Sequence, residues 1–276
     1  MMTGAMDYTG PDAAAQWARC LDMYLWLHQQ VDTQIGRVLD TLAARPEIDE
    51  NTVVVFTSDH GEYAGSHGLR GKGAAVYEES IRVPLYIRDP SGHLTPSPGD
   101  TRTQLTSSAD LASLLLTIAH GGSGWRSDSR YSYLAGRADI AGMAADAAAP
   151  GRPWIAHATD DMSVEEMAAL MKSPLAKKFF GTSGPPMEIP TSAPSHIVAV
   201  RTPEAKLGMY TYWKPGTMDI DTSRPIHHEL YDYSTPSGGH ELDNLAGRSA
   251  KQADLPGAAR PRGAARAACS AARLPR

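Results

Sequence analysis

TVVVFTSDHGEYAGSHGLRGKGAAVYEESIRVPLY, residues 52–86, is the stretch that decides how this chain is read. It opens on an apolar, β-branched run, Val53, Val54, Val55 and Phe56, too short for a typical helix and without alternation. Such a run reads as a strand buried on both faces, as in parallel sheets. Polar residues begin where the strand ends. In open α/β sheets ligands gather at the carboxyl ends of strands, and this end delivers Asp59 and His60 side by side, followed by Gly61. One hard oxygen and one imidazole nitrogen suit a divalent cation once further oxygens arrive from elsewhere. The purely structural alternative is an N-capping Asp and a helix-facing His.

Working outward, Gly65, His67, Gly68, Gly71, Lys72 and Gly73 form a loop whose glycines permit tight turns, so that Lys72 can swing back toward the cation. An ammonium beside a cation implies an anion between them. The pattern therefore points to a charged oxyanion ester, with the metal on one side and Lys72 on the other. An exposed lysine in a glycine-rich loop is the alternative.

With these residues in place, the sequence resembles the sulfatase family of the alkaline phosphatase superfamily. The family carries a strand followed by S-D-H-G-E, G-x-H-G, G-K and E-E-S-I-R-V-P. Here these stand as Ser58, Asp59, His60, Gly61 and Glu62; Gly65, Ser66, His67 and Gly68; Gly71 and Lys72; and the run EESIRVP over residues 78–84. The resemblance implies Asp59 and His60 as metal ligands, Lys72 as a catalytic contact to the ester oxyanion, and His67 as a supporting member of the catalytic group. It extends over roughly residues 15–246, the carboxyl-terminal half of a full-length enzyme.

The expected fold class is α/β: an alkaline-phosphatase-like, mostly parallel sheet flanked by helices, present in part, with a small C-terminal antiparallel sheet. Three regions follow: residues 1–194 as the partial α/β domain carrying the metal and oxyanion loop, 195–246 as the antiparallel subdomain, and 247–276 as a basic tail. From Gly247 onward seven Arg and Lys face one Asp, a local +6, so the remainder carries −11 of the net −5. The tail has no aromatic residues to stack on bases, which argues against a nucleic-acid partner and for a disordered extension.

Before the strand, Leu21, Tyr24, Leu25, Val31, Ile35, Val38, Leu39 and Leu42 recur at spacings of three and four, predicting an amphipathic helix over about residues 11–44 with its apolar face on the sheet. After the loop, residues 82–88 read as a second strand. A helix over about 107–120 turns Leu111, Leu114, Leu115 and Ile118 inward and ends at Gly121 and Gly122. A loose helix near 139–146 and a third short strand over 153–158 follow. The capping-box spacing of Ser163 and Glu166 starts a helix to about residue 172. Residues 181–194 are a proline-rich loop, and strand-like pieces at 196–201, 206–213 and 229–233 form an antiparallel meander. His227, His228 and Glu229 have the composition of a metal cluster, but neighbours in a strand point to opposite faces.

The family's nucleophile is a formylglycine made within C-x-P-x-R near the amino terminus. No such motif stands at the start of this chain. The near match at residues 269–273, CSAAR, has Ala in place of Pro and lies in the tail. The sequence therefore reads as a truncated, metal-dependent hydrolase of sulfuric esters acting on a small-molecule substrate. Its cation would be Ca2+, Mn2+ or Mg2+. Phosphonate or phosphate ester hydrolysis is the alternative, as is a non-catalytic remnant needing a complementary N-terminal half. Exposed sheet edges would favour self-association. No apolar run is long enough to cross a bilayer, no signal peptide is visible, and Cys20 and Cys269 form no disulfide framework, which points to the cytoplasm.

Overall fold

A computed structural model describes residues 10–69, 71–73, 75–94, 99–160 and 194–247. The helix at 163–172, most of the proline-rich loop and the basic tail with Cys269 lie outside the described residues. Helix α1 runs Ala13–Ala43, opening on three alanines and containing a single glycine, Gly36, and no proline. Arg45 precedes Pro46, which disfavours helical backbone there, and Pro46 starts the short α2, Pro46–Asp49. The helix forms where the periodicity places it. Its apolar face, however, does not pack on a sheet: none of its side chains is buried, with Leu25 64% and Val38 69% exposed. Its backbone hydrogen bonds close within the helix, so it needs no partner strand to exist. Trp17 is the residue that meets the loop, lying about where a side chain on Gly65 would stand.

Strand β1, Val54–Thr57, pairs antiparallel with β2, Leu85–Arg88, in the register Val54 to Arg88 and Thr57 to Leu85. Between them lies the short helix α3, Glu78–Ile81. Two expectations are corrected here: β1 is not buried on both faces, and its described partner is antiparallel, not parallel. Val55, Leu85 and Ile87 face a core built by Leu114, Ile140, Ala141 and Met143, whereas Phe56 and Tyr86 stand exposed on the opposite face with ring centroids 6.0 Å apart. A β-branched run favours extended backbone whichever faces are covered, so it reports the strand and not its neighbours.

The covering layer is helix α4, Leu111–Ala119, and helix α5, Ile140–Ala145. Leu114 is buried as expected but Leu115 is 55% exposed, because α4 is covered on one side only. Asp110, fully buried at the start of α4, accepts hydrogen bonds from the Ser107 and Ala138 backbone N–H groups and pairs with Arg152. Burial pushes its carboxyl up, but the Arg152 guanidinium and the Ala138 and Ser107 N–H groups together outweigh this and hold it below the usual range.

The second sheet has four antiparallel strands in chain order: β3, Ile155–Asp160; β4, His196–Arg201; β5, Ala205–Thr211; and β6, His227–Asp232. The antiparallel C-terminal sheet is thus present, and β3 joins it, pairing along its whole length with β4 although it precedes residue 194. A short helix α6, Pro236–Gly239, follows. The α/β class stands, while every described strand pairing is antiparallel. No helix of the described residues is long and apolar enough to cross a membrane.

This sheet is fused to the loop after β1. Tyr63, Ala75 and Val76 from the loop form one buried core with Ile197, Ala199 and Tyr210, and Tyr77 packs against it. A Cβ on Gly208 would lie 2.8 Å from Val76 Cγ2, so the loop sits directly on the strand there. Lys206 of β5 is fully buried, donates to Glu78 Oε1 at 3.0 Å and pairs with Glu241.

Candidate functional site

Beyond Thr57 the chain turns sharply. Ser58 Oγ donates to the His60 carbonyl at 2.8 Å, and the His60 N–H donates to Asp59 Oδ1 at 2.9 Å. That backbone bond is the main reason the Asp59 carboxyl lies below its ordinary range, helped by the neighbouring imidazole. Gly61 then fixes the turn: its N–H donates to the Ser80 carbonyl at 2.8 Å, and a Cβ there would stand 1.9 Å from the Glu79 carbonyl oxygen. Only glycine tolerates that approach.

His60 Nδ1 lies 2.8 Å from the Gly61 carbonyl, which can only accept, so Nδ1 carries the proton and Nε2 keeps its lone pair. Two groups converge on that lone pair. Lys72 Nζ is 2.6 Å from Nε2, and Asp59 Oδ2 is 3.3 Å from it. Lys72 is brought back by a loop organised around Glu62, whose Oε1 accepts from the Gly71 N–H at 2.6 Å and the Ala64 N–H at 3.2 Å, while the Tyr63 N–H donates to the Gly71 carbonyl at 3.0 Å. Gly71 and Gly73 flank Lys72 at φ +83° and +76°, where side chains rarely go. Asp59, His60 and Lys72, chosen from the sequence, are thus side by side, with Asp59 open to solvent.

The donor set fits a divalent cation. A carboxylate oxygen and an imidazole lone pair 3.3 Å apart match two adjacent ligands, since donors about 2.1 Å from a metal stand roughly 3.0–3.4 Å from each other. They would provide two positions of a larger shell.

His67 is placed elsewhere. It adopts left-handed backbone, φ +55°, and its ring stacks on Tyr77 with centroids 3.8 Å apart and planes 6° apart. Its Nε2 lies 3.4 Å from Glu79 Oε2, and with Glu241 these form a group whose donor atoms all lie within 4.8 Å. Glu241 and Lys206 escaped the reading of the sequence. Lys206 left a signal, a charged residue in phase with Gly208 and Tyr210 on an alternating strand; Glu241 left none. Of the His227, His228, Glu229 run, Glu229 turns inward, accepting from Tyr77 Oη at 3.0 Å and pairing with Tyr210, while both histidines are exposed. Burial, then the Glu229 charge, pushes the Tyr77 hydroxyl up to about 12.

This α/β core, with an antiparallel sheet packed on the loop that ends β1, matches part of the fold of solved sulfatases. A structure of a protein in complex with its substrate D-glucosamine-2-N,6-O-disulfate superposes with a TM-score of 0.61 at 23% identity, covering 88% of this chain and 40% of that one. A 2-O GAG sulfatase gives 0.55 at 18% identity, covering 87% and 40%. Residues 4–121 match the family model described as Sulfatase. An uncharacterized sulfatase, YidJ, of Escherichia coli K12 is 51% identical over 70 residues, 25% of this chain and 14% of that protein. The N-acetylglucosamine-6-O-sulfatase of Bacteroides thetaiotaomicron is 38% identical over 96 residues, 35% of this chain and 16% of that one. The chain spans 40% of the length of these solved structures, and its aligned stretches are a smaller share of the curated relatives.

Proposed function

We propose that this chain carries the cation-binding and oxyanion-binding part of a metal-dependent sulfate-ester hydrolase. The observation that carries this is the gathering of Lys72 Nζ, at 2.6 Å, and Asp59 Oδ2, at 3.3 Å, around His60 Nε2. Asp59 and His60 hold the cation, which supplies Lewis-acid charge when bound. Lys72, whose Nζ lies 2.6 Å from His60 Nε2, is the group that would meet the anionic oxygens of a small sulfate ester beside the cation. Gly61 and Glu62 orient the two sides. The C-x-P-x-R motif does not occur in the sequence, so the reading assigns binding to these residues and leaves the nucleophile to a complementary segment. Ca2+, Mn2+ and Mg2+ all suit a site completed by oxygens, and the imidazole favours Mn2+ among them.

The test is hydrolysis of chromogenic aryl sulfate, phosphate and phosphonate esters by the chain, alone and mixed with a cognate first half, beside Mn2+ titration. Aryl sulfate turnover that needs the mixture and vanishes with Asp59→Ala is the expected result. Mn2+ and sulfate binding unaltered by Asp59→Ala and Lys72→Ala would overturn it. A second reading, phosphate or phosphonate ester hydrolysis, draws support from the relative named multifunctional alkaline phosphatase superfamily protein PehA of Trinickia caryophylli, 42% identical over 66 residues, 24% of this chain and 12% of that one. Preference for the phosphorus esters in the same assay would select it.

A further inference from the structure

We propose a second divalent-cation site, formed by His67, Glu79 and Glu241, that shares no residue with the Asp59 and His60 pair. Two neighbouring parts of the chain, the glycine-rich loop and helix α3, and one distant part, the turn after α6, deliver these donors. Their ligand atoms all lie within 4.8 Å of one another. One imidazole and two carboxylates form a mixed nitrogen and oxygen set that favours a first-row ion such as Mn2+ or Zn2+ over Ca2+.

The spacing separates this from an ordinary ion pair. A charge-assisted N–H to carboxylate bond measures about 2.7–2.9 Å. His67 Nε2 and Glu79 Oε2 stand 3.4 Å apart, too far for such a bond. Two donors each about 2.1 Å from a tetrahedral ion are separated by about 3.4 Å, the spacing observed. The imidazole is held for that task, since its ring is stacked on Tyr77 and its side chain is only 9% exposed.

Charge and space agree with the donor set. Glu241 is balanced by Lys206 and bonded by Tyr233 Oη at 2.6 Å and the Glu78 N–H at 2.8 Å, which fixes its carboxylate while leaving lone-pair capacity on Oε2. Lys206 also serves Glu78, so its ammonium is divided between Glu78 and Glu241, while Glu79 has the His67 imidazole beside it. A cavity of about 320 Å³ opens beside it, lined by Glu78, Glu79, Arg82, Gly239, His240 and Glu241. At roughly 30 Å³ per molecule it has room for the waters needed to complete a shell. A cation here would tie the turn after α6 to the loop that carries Lys72.

The test is equilibrium dialysis of the full chain against Mn2+, with free ion read by electron paramagnetic resonance and folding checked by circular dichroism. With Asp59→Asn the chain is expected to keep a single equivalent of Mn2+. Adding Glu79→Gln to that background weakens the remaining binding by about tenfold or more, and His67→Gln, on the opposite side of the ion, does the same should the first variant disturb folding. Asp59→Asn protein that binds no Mn2+, or Mn2+ binding untouched by both Glu79→Gln and His67→Gln, overturns the proposal. Failure of the Asp59 and His60 site looks different: the Mn2+ count would be the same in wild type and Asp59→Asn.

Discussion

Helix α1 and the segment from Gly61 to Ser80 are ordered for opposite reasons. The helix is the longest element of the described residues, yet it buries no side chain; the segment holds only one 3-10 turn and most of the short α3, yet Tyr63, Ala75, Val76 and Ser80 are all buried. The helix closes its own backbone hydrogen bonds from turn to turn. The segment is glycine-rich and charged, with little local preference, and is held by partners supplied from the other end of the chain: Lys206 for Glu78, Glu241 for the Glu78 N–H, and Glu229 for Tyr77. The difference teaches that in this chain regular structure and order are separate properties. Order, and with it the candidate site, follows the contacts with the C-terminal sheet.

The contrast is broken most directly at Lys206. Lys206→Ala removes the positive charge between two glutamates, leaving the buried Glu241 carboxylate unpaired, and is expected to cost about 3–5 kcal/mol of stability in urea unfolding. A loss under 1 kcal/mol would show that the sheet does not hold the segment. Next in size is Gly61→Ala, whose methyl group collides with the Glu79 carbonyl; a loss of about 1–3 kcal/mol is expected, together with weaker Mn2+ binding at Asp59 and His60. Unchanged binding would mean the turn does not position His60.

Alkaline titration sharpens the same comparison. The Tyr77 hydroxyl is raised to about 12, so the folded chain holds this proton more tightly than the unfolded one. Its contribution is complete below the unfolded pKa of about 10 and is lost as pH rises through about 12. Ultraviolet absorbance of tyrosinate, compared between wild type and Tyr77→Phe, should show one hydroxyl fewer ionising near pH 12, and stability that falls less steeply above pH 10 in the variant. The smallest effect is expected in α1. Leu25→Glu with Val38→Glu should alter unfolding free energy by no more than about 0.5 kcal/mol each, because both are already exposed, while reducing self-association in sedimentation. A large destabilisation would show that the helix face is covered in solution.

Much of the local structure was legible in the residues. The periodicity of α1, the β-branched run of β1 and the turn-separated strands β4 to β6 each carry a local signal, and each element forms where that signal stands. The placement of Asp59 and His60 just beyond β1 was legible because the polar residues begin where the β-branched run stops. Lys72 was legible because glycines on both sides let the chain return. The partnership of His67 with Glu79 and Glu241 was not, since a glutamate more than a hundred and fifty residues away leaves no trace in the spacing around a histidine. Nor was the exposed face of β1, which depends on what covers a strand and not on its residues.

By itself the sequence determined which segments are helices and strands, where the chain turns, and that a carboxylate, an imidazole and an ammonium share one short region; these follow from backbone preferences and side-chain chemistry within a few residues. Tertiary structure alone decided that β1 pairs antiparallel with β2, that the face of α1 stays bare, that β3 joins the C-terminal sheet, and that Lys206 and Glu241 reach across the chain to fix the loop. Those outcomes depend on long-range burial and charge pairing, whose free energies are set by neighbours that no local stretch of residues contains.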